Sequence, residues 1–448
     1  MSEELEKKDF SRRSFIGGAA LAGVALAACA APPREEALVA LGPKMTLGPE
    51  LAPDGEPIRA GIIGCGGRGT GAAGNFLSSG PNLQVVALAD TFEDRLERCR
   101  GRLKEQNGAE IADDQCFVGL DAYKRVLEAD INYVIIATPP YFHPDQFEAA
   151  VEARKHVFME KPAGVDPAGA RSIMETAEKA TALNLKVATG TQRRHQKNYI
   201  ETYNRIMDGS IGQITSARAY WNQSQLWFRE RQNGWSDMEW MLRDWVNWCW
   251  LSGDHIVEQH VHNVDVINWF THSHPVNAVG MGGRARRVTG DQYDFFAVDY
   301  EMENGIHMMS MCRQVDGSEN NVSEYIVGTK GSSNCADTIY DLDGNITWQY
   351  EPAKDEAGNV TDTSPYVQEH IDLITCIRED KPINEATDTA VSTLTAVMGR
   401  TSSYTGKLVT WDEMMASDTK IGPDELKLGS YPDIIKAIAP PVPGTAAE

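Results

Sequence analysis

Gly64-Cys65-Gly66-Gly67-Arg68-Gly69 follows a short strand, Ile58 to Ile63, and opens a helix-like stretch, TGAAGNFLSS. Glycines at 64, 66, 67 and 69 permit a tight turn and let backbone N–H groups approach a pyrophosphate at a helix N-terminus. Asp90 ends the next apolar run, QVVALAD, 21 positions after Gly69. A carboxylate there accepts from the adenosine ribose hydroxyls and repels a 2′-phosphate, so NAD is expected rather than NADP. Arg68 and Arg95 soften that preference. A second cluster lies in SGDHIVEQHVHNVDVINW, where Glu258 and His262 are four apart and share a face if the segment is one helix. An imidazole with a pKa near working pH suits proton transfer as an alcohol becomes a ketone. His255, His260 and His262 form HxxxxHxH without a cysteine, a weak zinc pattern, so no metal is expected. His255 and His260 read as core histidines.

Elements must hold these groups. Phe92, Leu96, Cys99 and Leu103 mark a helix face, and Asp121 caps a helix running to Glu128. NYVIIAT and KHVFME read as buried strands flanking the helix-like PDQFEAAVEA. Strand and helix alternate from 58 to 188, which predicts an α/β Rossmann domain with a doubly wound parallel sheet.

Ala137 to Gly164, ATPPYFHPDQFEAAVEARKHVFMEKPAG, resembles the glucose–fructose oxidoreductase/inositol dehydrogenase (Gfo/Idh/MocA) family, whose hallmark is a strand ending in Glu-Lys-Pro. Here that is Glu160-Lys161-Pro162. The resemblance runs from about Ile58 to about Trp411. It implies an oxidoreductase with His262 as acid/base and Lys161 as a second proton-handling or alkoxide-stabilising group. Glu258 stands where the family has Asp, and is expected to hold and polarise His262 or to bind a hydroxyl. The resemblance also implies that Thr138, Pro139, His143, Glu160 and Lys161 lie at the cofactor, and Gln192, Arg193, His195 and Asp265 at the substrate.

Beyond LKVATG and the helix YIETYNRIMDG the pattern changes to alternating strands, QITSARAYW, NAVGMGGRARR and YDFFAVDYEM. Asn304-Gly305 and Asp343-Gly344 are hairpin signals. This predicts a second, α+β domain over 189–415, built on a large, mainly antiparallel open sheet. YVQEHIDLITCIRED and DTAVSTLTAVMGR read as helices that, by the resemblance, pack back on the first domain. Residues 416–448 read as a tail. Tryptophans 221, 227, 235, 240, 245, 248 and 250 crowd one insert. Their faces suit sugar C–H surfaces or, equally, a core or subunit contact.

Ser11-Arg12-Arg13-Ser14-Phe15-Ile16 matches a twin-arginine signal, and Leu26-Ala27-Ala28-Cys29 a lipobox. Residues 1–29 are therefore expected to be a signal peptide and 30–57 a Pro/Gly-rich linker. The protein is expected to leave by the twin-arginine translocase, already folded, for the periplasm or cell envelope, with a possible lipid anchor at Cys29. A net charge of −22, with no basic run, argues against nucleic acid. The eight cysteines form no CxxC and read as small buried residues rather than a disulfide framework. A homo-oligomer, dimer or tetramer, follows from the resemblance.

An exported NAD enzyme has no supply of free cofactor. The expectation is an oxidoreductase for a sugar, sugar alcohol or glycoside CH–OH, with NAD tightly bound, recycled internally and covered by the linker or by loops of the Trp-rich insert. The alternative is a glycoside-cleaving enzyme that oxidises a ring hydroxyl, eliminates the C1 substituent, adds water and re-reduces the ketone. A non-catalytic sugar-binding lipoprotein is a third reading.

Overall fold

The computed structural model describes residues 42–436, so Arg12, Arg13 and Cys29 lie outside the described residues. Six parallel strands form the first sheet: β1 (Ile58–Ile63), β2 (Leu83–Asp90), β3 (Cys116–Val118), β4 (Tyr133–Ile136), β5 (His156–Met159) and β6 (Val187–Thr189). Their order is β3-β2-β1-β4-β5-β6. Helices cover both faces, so every residue of β4 is buried and apolar rather than alternating. The order reverses between β1 and β4, and a crevice opens beyond their carboxyl ends. Gly64 turns the chain there at φ +95°, where a Cβ would stand 2.7 Å from the backbone of Ala137. The helix Gly67–Ser78 begins directly after the turn.

The second sheet has nine strands: β7 (Ile214–Gln223), β8 (Pro275–Gly283), β9 (Phe295–Met302), β10 (His307–Gln314), β11 (Asn321–Gly328), β12 (Gly331–Ser333), β13 (Thr338–Asp341), β14 (Ile346–Gln349) and β15 (Val409–Thr410). The order is β14-β13-β12-β11-β7-β10-β9-β8-β15. Only β7 and β10 pair in parallel; the other neighbours are antiparallel. One face lies under the helices Val261–Thr271 and Ala386–Thr405, with Phe296, Val298, Tyr300 and Met308 buried between. The other leaves Val279, Met281, Met309 and Met311 exposed on alternate positions. Asn304-Gly305 and Asp343-Gly344 turn with glycine φ of 77° and 85°. The helices Pro365–Arg378 and Ala386–Thr405 return to pack on the first domain. The seven described cysteines are free.

Three departures from expectation matter for function. Glu258 and His262 do not share one helix: His255–Glu258 and Val261–Thr271 are separate, broken at Gln259 and His260. The linker, from residue 42, is laid on the body rather than tethering it. Met45 N donates to Asn204 Oδ1 at 2.8 Å, Tyr203 Oη donates to Pro43 O at 2.9 Å, and Ala52 is buried. The expected tail continues into side chains, including Ile421, Leu426 and Tyr431, that pack on the Trp-rich insert.

Candidate active site

A cleft of about 500 Å³ lies beyond the carboxyl ends of β1, β2 and β4. Gly64, Gly66, Gly67, Arg68, Asp90, Arg95, Thr138 and Pro139 line it, as expected. Gly69 does not; its Cβ would overlap the Gly64 carbonyl, so its role is to let the helix start against the strand end. At Gly66 and Gly67 a Cβ would meet nothing within 4 Å. Bare backbone therefore faces open space at a helix N-terminus, the arrangement a pyrophosphate needs. Asp90 Oδ2 accepts from Cys65 N at 2.8 Å and Oδ1 from Phe92 N at 2.9 Å. Burial pushes its pKa up while these bonds oppose the shift. The carboxylate is thus aimed, with lone pairs remaining for ribose hydroxyls. These residues fit NAD.

Of the residues assigned to the cofactor or substrate, His143, Glu160, Lys161, Gln192, Arg193, His195 and Asp265 do not line this cleft. Glu160 is buried and pairs with Arg68 Nε. Arg68 Nη2 stands 3.5 Å from Glu369 Oε2, without a hydrogen bond, and Glu369 is fully buried. Burial, with Glu160 adding to it, drives the Glu369 pKa well up. His195 is buried away from the cleft lining: its ring sits between Asp372 Oδ2 at 2.7 Å and Glu385 Oε1 at 3.0 Å. Burial opposes its charge, but Glu385 and Asp372 hold the pKa well above the ordinary value. His143 is buried with Nδ1 2.7 Å from Pro162 O and Nε2 2.8 Å from Thr138 O. It braces the two loops that carry Lys161 and Thr138 and does not line the cleft.

Lys161 enters from the end of β5 and meets the short helix His255–Glu258. Its Nζ donates to Glu258 Oε1 at 2.8 Å and Glu258 O at 2.7 Å. Gln259 Nε2 donates to the other Glu258 oxygen, and Gln314 Nε2 holds Gln259 Oε1 at 2.8 Å. Glu258 therefore serves Lys161, and no hydrogen bond among the described residues joins it to His262. The helix break turned the two side chains apart.

His262 stacks on Trp221, with centroids 5.6 Å apart. Burial, then Lys161, Arg193 and Arg68, holds its pKa well below 6.5. The imidazole is neutral at pH 7, so it can accept a proton, and its neighbours include the Lys161 ammonium. Arg193 lies over the same Trp221 ring at 5.8 Å and pairs with buried Glu324 at 2.5 Å. Gln192 Oε1 is buried without a partner. Lys161 uses two donors on Glu258, leaving a third for a substrate oxygen. Asp265 does not belong to this group: Arg194 holds it through two bonds of 2.9 Å and Ser392 through one of 2.8 Å, in the core. Both ring nitrogens of buried His255 lack partners, and His260 Nε2 meets Ser310 Oγ at 2.7 Å. Among the described residues no His/Cys/Asp/Glu group is arranged for a metal.

Sequence reasoning offered the Trp-rich insert as a cover but did not say which of its residues form the outer wall of the cleft, which are Trp227, Arg229, Leu242 and Trp245. The crowding of tryptophans was the signal, but not which of them face a ligand. Trp248 and Trp250 are buried in a core with Phe92, Met238 and Met241. No described residue of the linker, from residue 42 on, lines the cleft.

The family model "Oxidoreductase family, NAD-binding Rossmann fold" matches residues 58–188, and "GFO/IDH/MocA C-terminal domain" matches 199–334. A protein of Solibacter usitatus named "Glycosyl hydrolase family 109 protein" is 28% identical over 249 residues, 52% of this chain and 51% of its own. An "Inositol 2-dehydrogenase" of Rubrobacter xylanophilus is 25% identical over 283 residues, 62% of this chain and 71% of its own. The chain spans about half the length of the first curated relatives it matches. Among solved structures, scyllo-inositol dehydrogenase of Lactobacillus casei with bound NAD(H) and scyllo-inositol has a TM-score of 0.59 at 22% identity, covering 79% of this chain and 99% of that one. This likeness shows the fold.

Proposed function

Because the chain belongs to the Gfo/Idh/MocA family of oxidoreductases and carries its NAD-binding Rossmann domain, we propose that it oxidises a CH–OH group of a sugar, sugar alcohol or glycoside. The observation that carries this reading is the Lys161–Glu258 pair next to His262, whose imidazole feels the charge of Arg68, a residue that lines the cleft holding Asp90. Bound NAD supplies a hydride acceptor. His262 takes the hydroxyl proton as the C–H hydride departs. Lys161 donates its remaining N–H to the oxygen on which negative charge develops. Glu258 fixes the Lys161 ammonium, and the Trp221 face is offered to a sugar ring. Names of relatives support the substrate class: they include inositol dehydrogenases.

A second reading has its own support, the 28% identity to a glycosyl hydrolase family 109 protein. In it the same His262 and Lys161 would handle the hydroxyl proton and oxygen while bound NAD supplied the oxidant and later the reductant; the ring ketone would acidify the adjacent C–H, loss of that proton would expel the C1 substituent as its alcohol, and water would add across the resulting double bond before the ketone is reduced again. Both readings recycle NAD without exchange. The motif Ser11–Ile16 supports export by the twin-arginine route to the periplasm or envelope, with Cys29 lipidated, and so a cofactor loaded before export. The exposed apolar rows on β8 and β10 support a homo-oligomer built on that face.

The test is to purify the full chain, dialyse it exhaustively, and assay it without added nicotinamide. Paired oxidation of one carbohydrate and reduction of another supports the first reading, and release of phenol from an aryl glycoside the second. Activity that returns only on adding free NAD overturns the retained cofactor.

A further inference from the structure

The wall of the cofactor cleft nearest Asp90 and Arg95 does not come from the Rossmann domain. Residues 224–236 run without regular structure from the end of β7 and place Trp227 and Arg229 on the cleft. Arg229 lies over the Trp227 ring at 5.3 Å, and Trp227 meets Trp245 edge-on at 6.3 Å. The arm is held to its surroundings by Gln225 N to Asp316 at 2.9 Å, Asn247 Nδ2 to Trp227 O at 3.2 Å, Arg229 N to Asp244 at 2.6 Å, Trp240 Nε1 to Arg229 O at 2.9 Å and an Arg231–Asp237 pair at 2.7 Å, all of them to its own domain. Trp227 remains 44% exposed. Its ring is therefore free to take a further contact from within the cleft it lines.

The segment after the arm, residues 237–251, is firmly seated on the Rossmann domain. Arg243 pairs with Asp94 at 2.9 Å and lies 3.9 Å over the Phe92 ring. Trp250 packs edge-on to Tyr141 at 5.0 Å. The C-terminal segment adds a brace, since Asp237 accepts from Tyr431 N at 2.7 Å and Ser430 Oγ at 2.8 Å. The arm therefore hinges on a fixed base.

Charge identifies the occupant. Arg95 and Arg229 reach the same end of the cleft from opposite domains, and neither has a carboxylate within ion-pair distance among the described residues. Two guanidinium groups without a direct ion-pair partner, and an indole face, suit a flat, electron-rich base carrying phosphate.

We propose that Trp227 and Arg229 form a clamp, supplied by the second domain, for the adenosine diphosphate half of the dinucleotide. The proposal rests on the reading that NAD stays bound. Cofactor release then requires the arm 224–236 to lift from the cleft, whereas the catalytic end stays in place.

The experiment follows release of bound dinucleotide from the purified full chain into excess isotopically labelled NAD, by mass spectrometry. Loss of base stacking sets the expected size: Trp227→Ala and Arg229→Gln release NAD roughly 10- to 100-fold faster than wild type. Trp235→Ala, on the same arm but stacked under Arg243 at 5.0 Å rather than on the cleft, leaves the release rate unchanged. Release at the wild-type rate from both clamp variants overturns the proposal. If the wild type itself exchanges NAD within minutes, the retained-cofactor reading fails, and the clamp is judged by calorimetry with ADP-ribose and nicotinamide mononucleotide. A 10- to 100-fold loss for ADP-ribose alone sustains it; equal ADP-ribose affinity in wild type and variants refutes it.

Discussion

Replacing Lys161 by Met removes the ammonium and keeps most of the side-chain volume. The substitution has two effects, which can be separated. The side chains of Lys161 and Glu258 are each only 12% exposed, so the variant leaves a carboxylate in a largely dry setting. Breaking a buried pair from one side costs about 3–5 kcal/mol, and here the Gln259 amide and the residual exposure of the carboxylate reduce that to about 2–3 kcal/mol. Turnover loses a donor aimed at developing alkoxide charge, a loss of about 10²- to 10³-fold. The double variant Lys161→Met/Glu258→Gln removes the stranded charge as well. It regains most of the stability and none of the turnover. Chemical denaturation and turnover per mole of bound cofactor, measured on wild type, both singles and the double, give the cycle. A Lys161→Met enzyme within about threefold of wild-type turnover, or a double variant no more stable than Lys161→Met, would refute the assignment.

His262→Ala lowers turnover by about 10²-fold or more with the fold intact; because burial and three neighbouring cations hold the His262 pKa down, the acid limb of the wild-type kcat/KM profile falls below pH 6.5, and a midpoint above 6.5 contradicts the base assignment. Asp265→Asn strands part of the Arg194 charge in the core and destabilises the protein by about 2–4 kcal/mol in denaturant titration, with KM unchanged in the folded enzyme. Asp90→Ser narrows the gap between NAD and NADP dissociation constants, since the carboxylate no longer repels a 2′-phosphate. Gly69→Ala forces a Cβ into the Gly64 carbonyl, and the purified variant carries no nucleotide by mass spectrometry of the denatured protein.

The cofactor half was legible in sequence because its signals are local. Gly64, Gly66 and Gly67 answer to backbone geometry within one turn, and Asp90 lies at the end of the neighbouring strand, a position fixed by strand and helix lengths. Lys161 was singled out by the resemblance that Glu160-Lys161-Pro162 carries, since a lysine just past a buried strand is by itself an ordinary solvated charge. The sequence also determined that two sheets of different kinds succeed each other along the chain, since continuous apolar runs give way to alternation. Partners that arrive from far along the chain were not legible. His195 looked like a substrate ligand because nothing near it in sequence shows that Asp372 and Glu385 close on its ring. Glu160 and His143 were likewise drawn inward, by Arg68 and by the Pro162 and Thr138 carbonyls. Spacing alone could not decide whether Glu258 and His262 share a face, because that rests on a helix continuing through Gln259 and His260. The chain breaks there, and Glu258 finds Lys161 from 97 residues away. Seven tryptophans in one insert announced a surface of some kind, yet burial in tertiary packing alone sorted Trp248 into the core and Trp227 onto the cleft. A carboxylate or an indole takes its role from whatever comes within a few ångströms of it, and chain topology sets that distance.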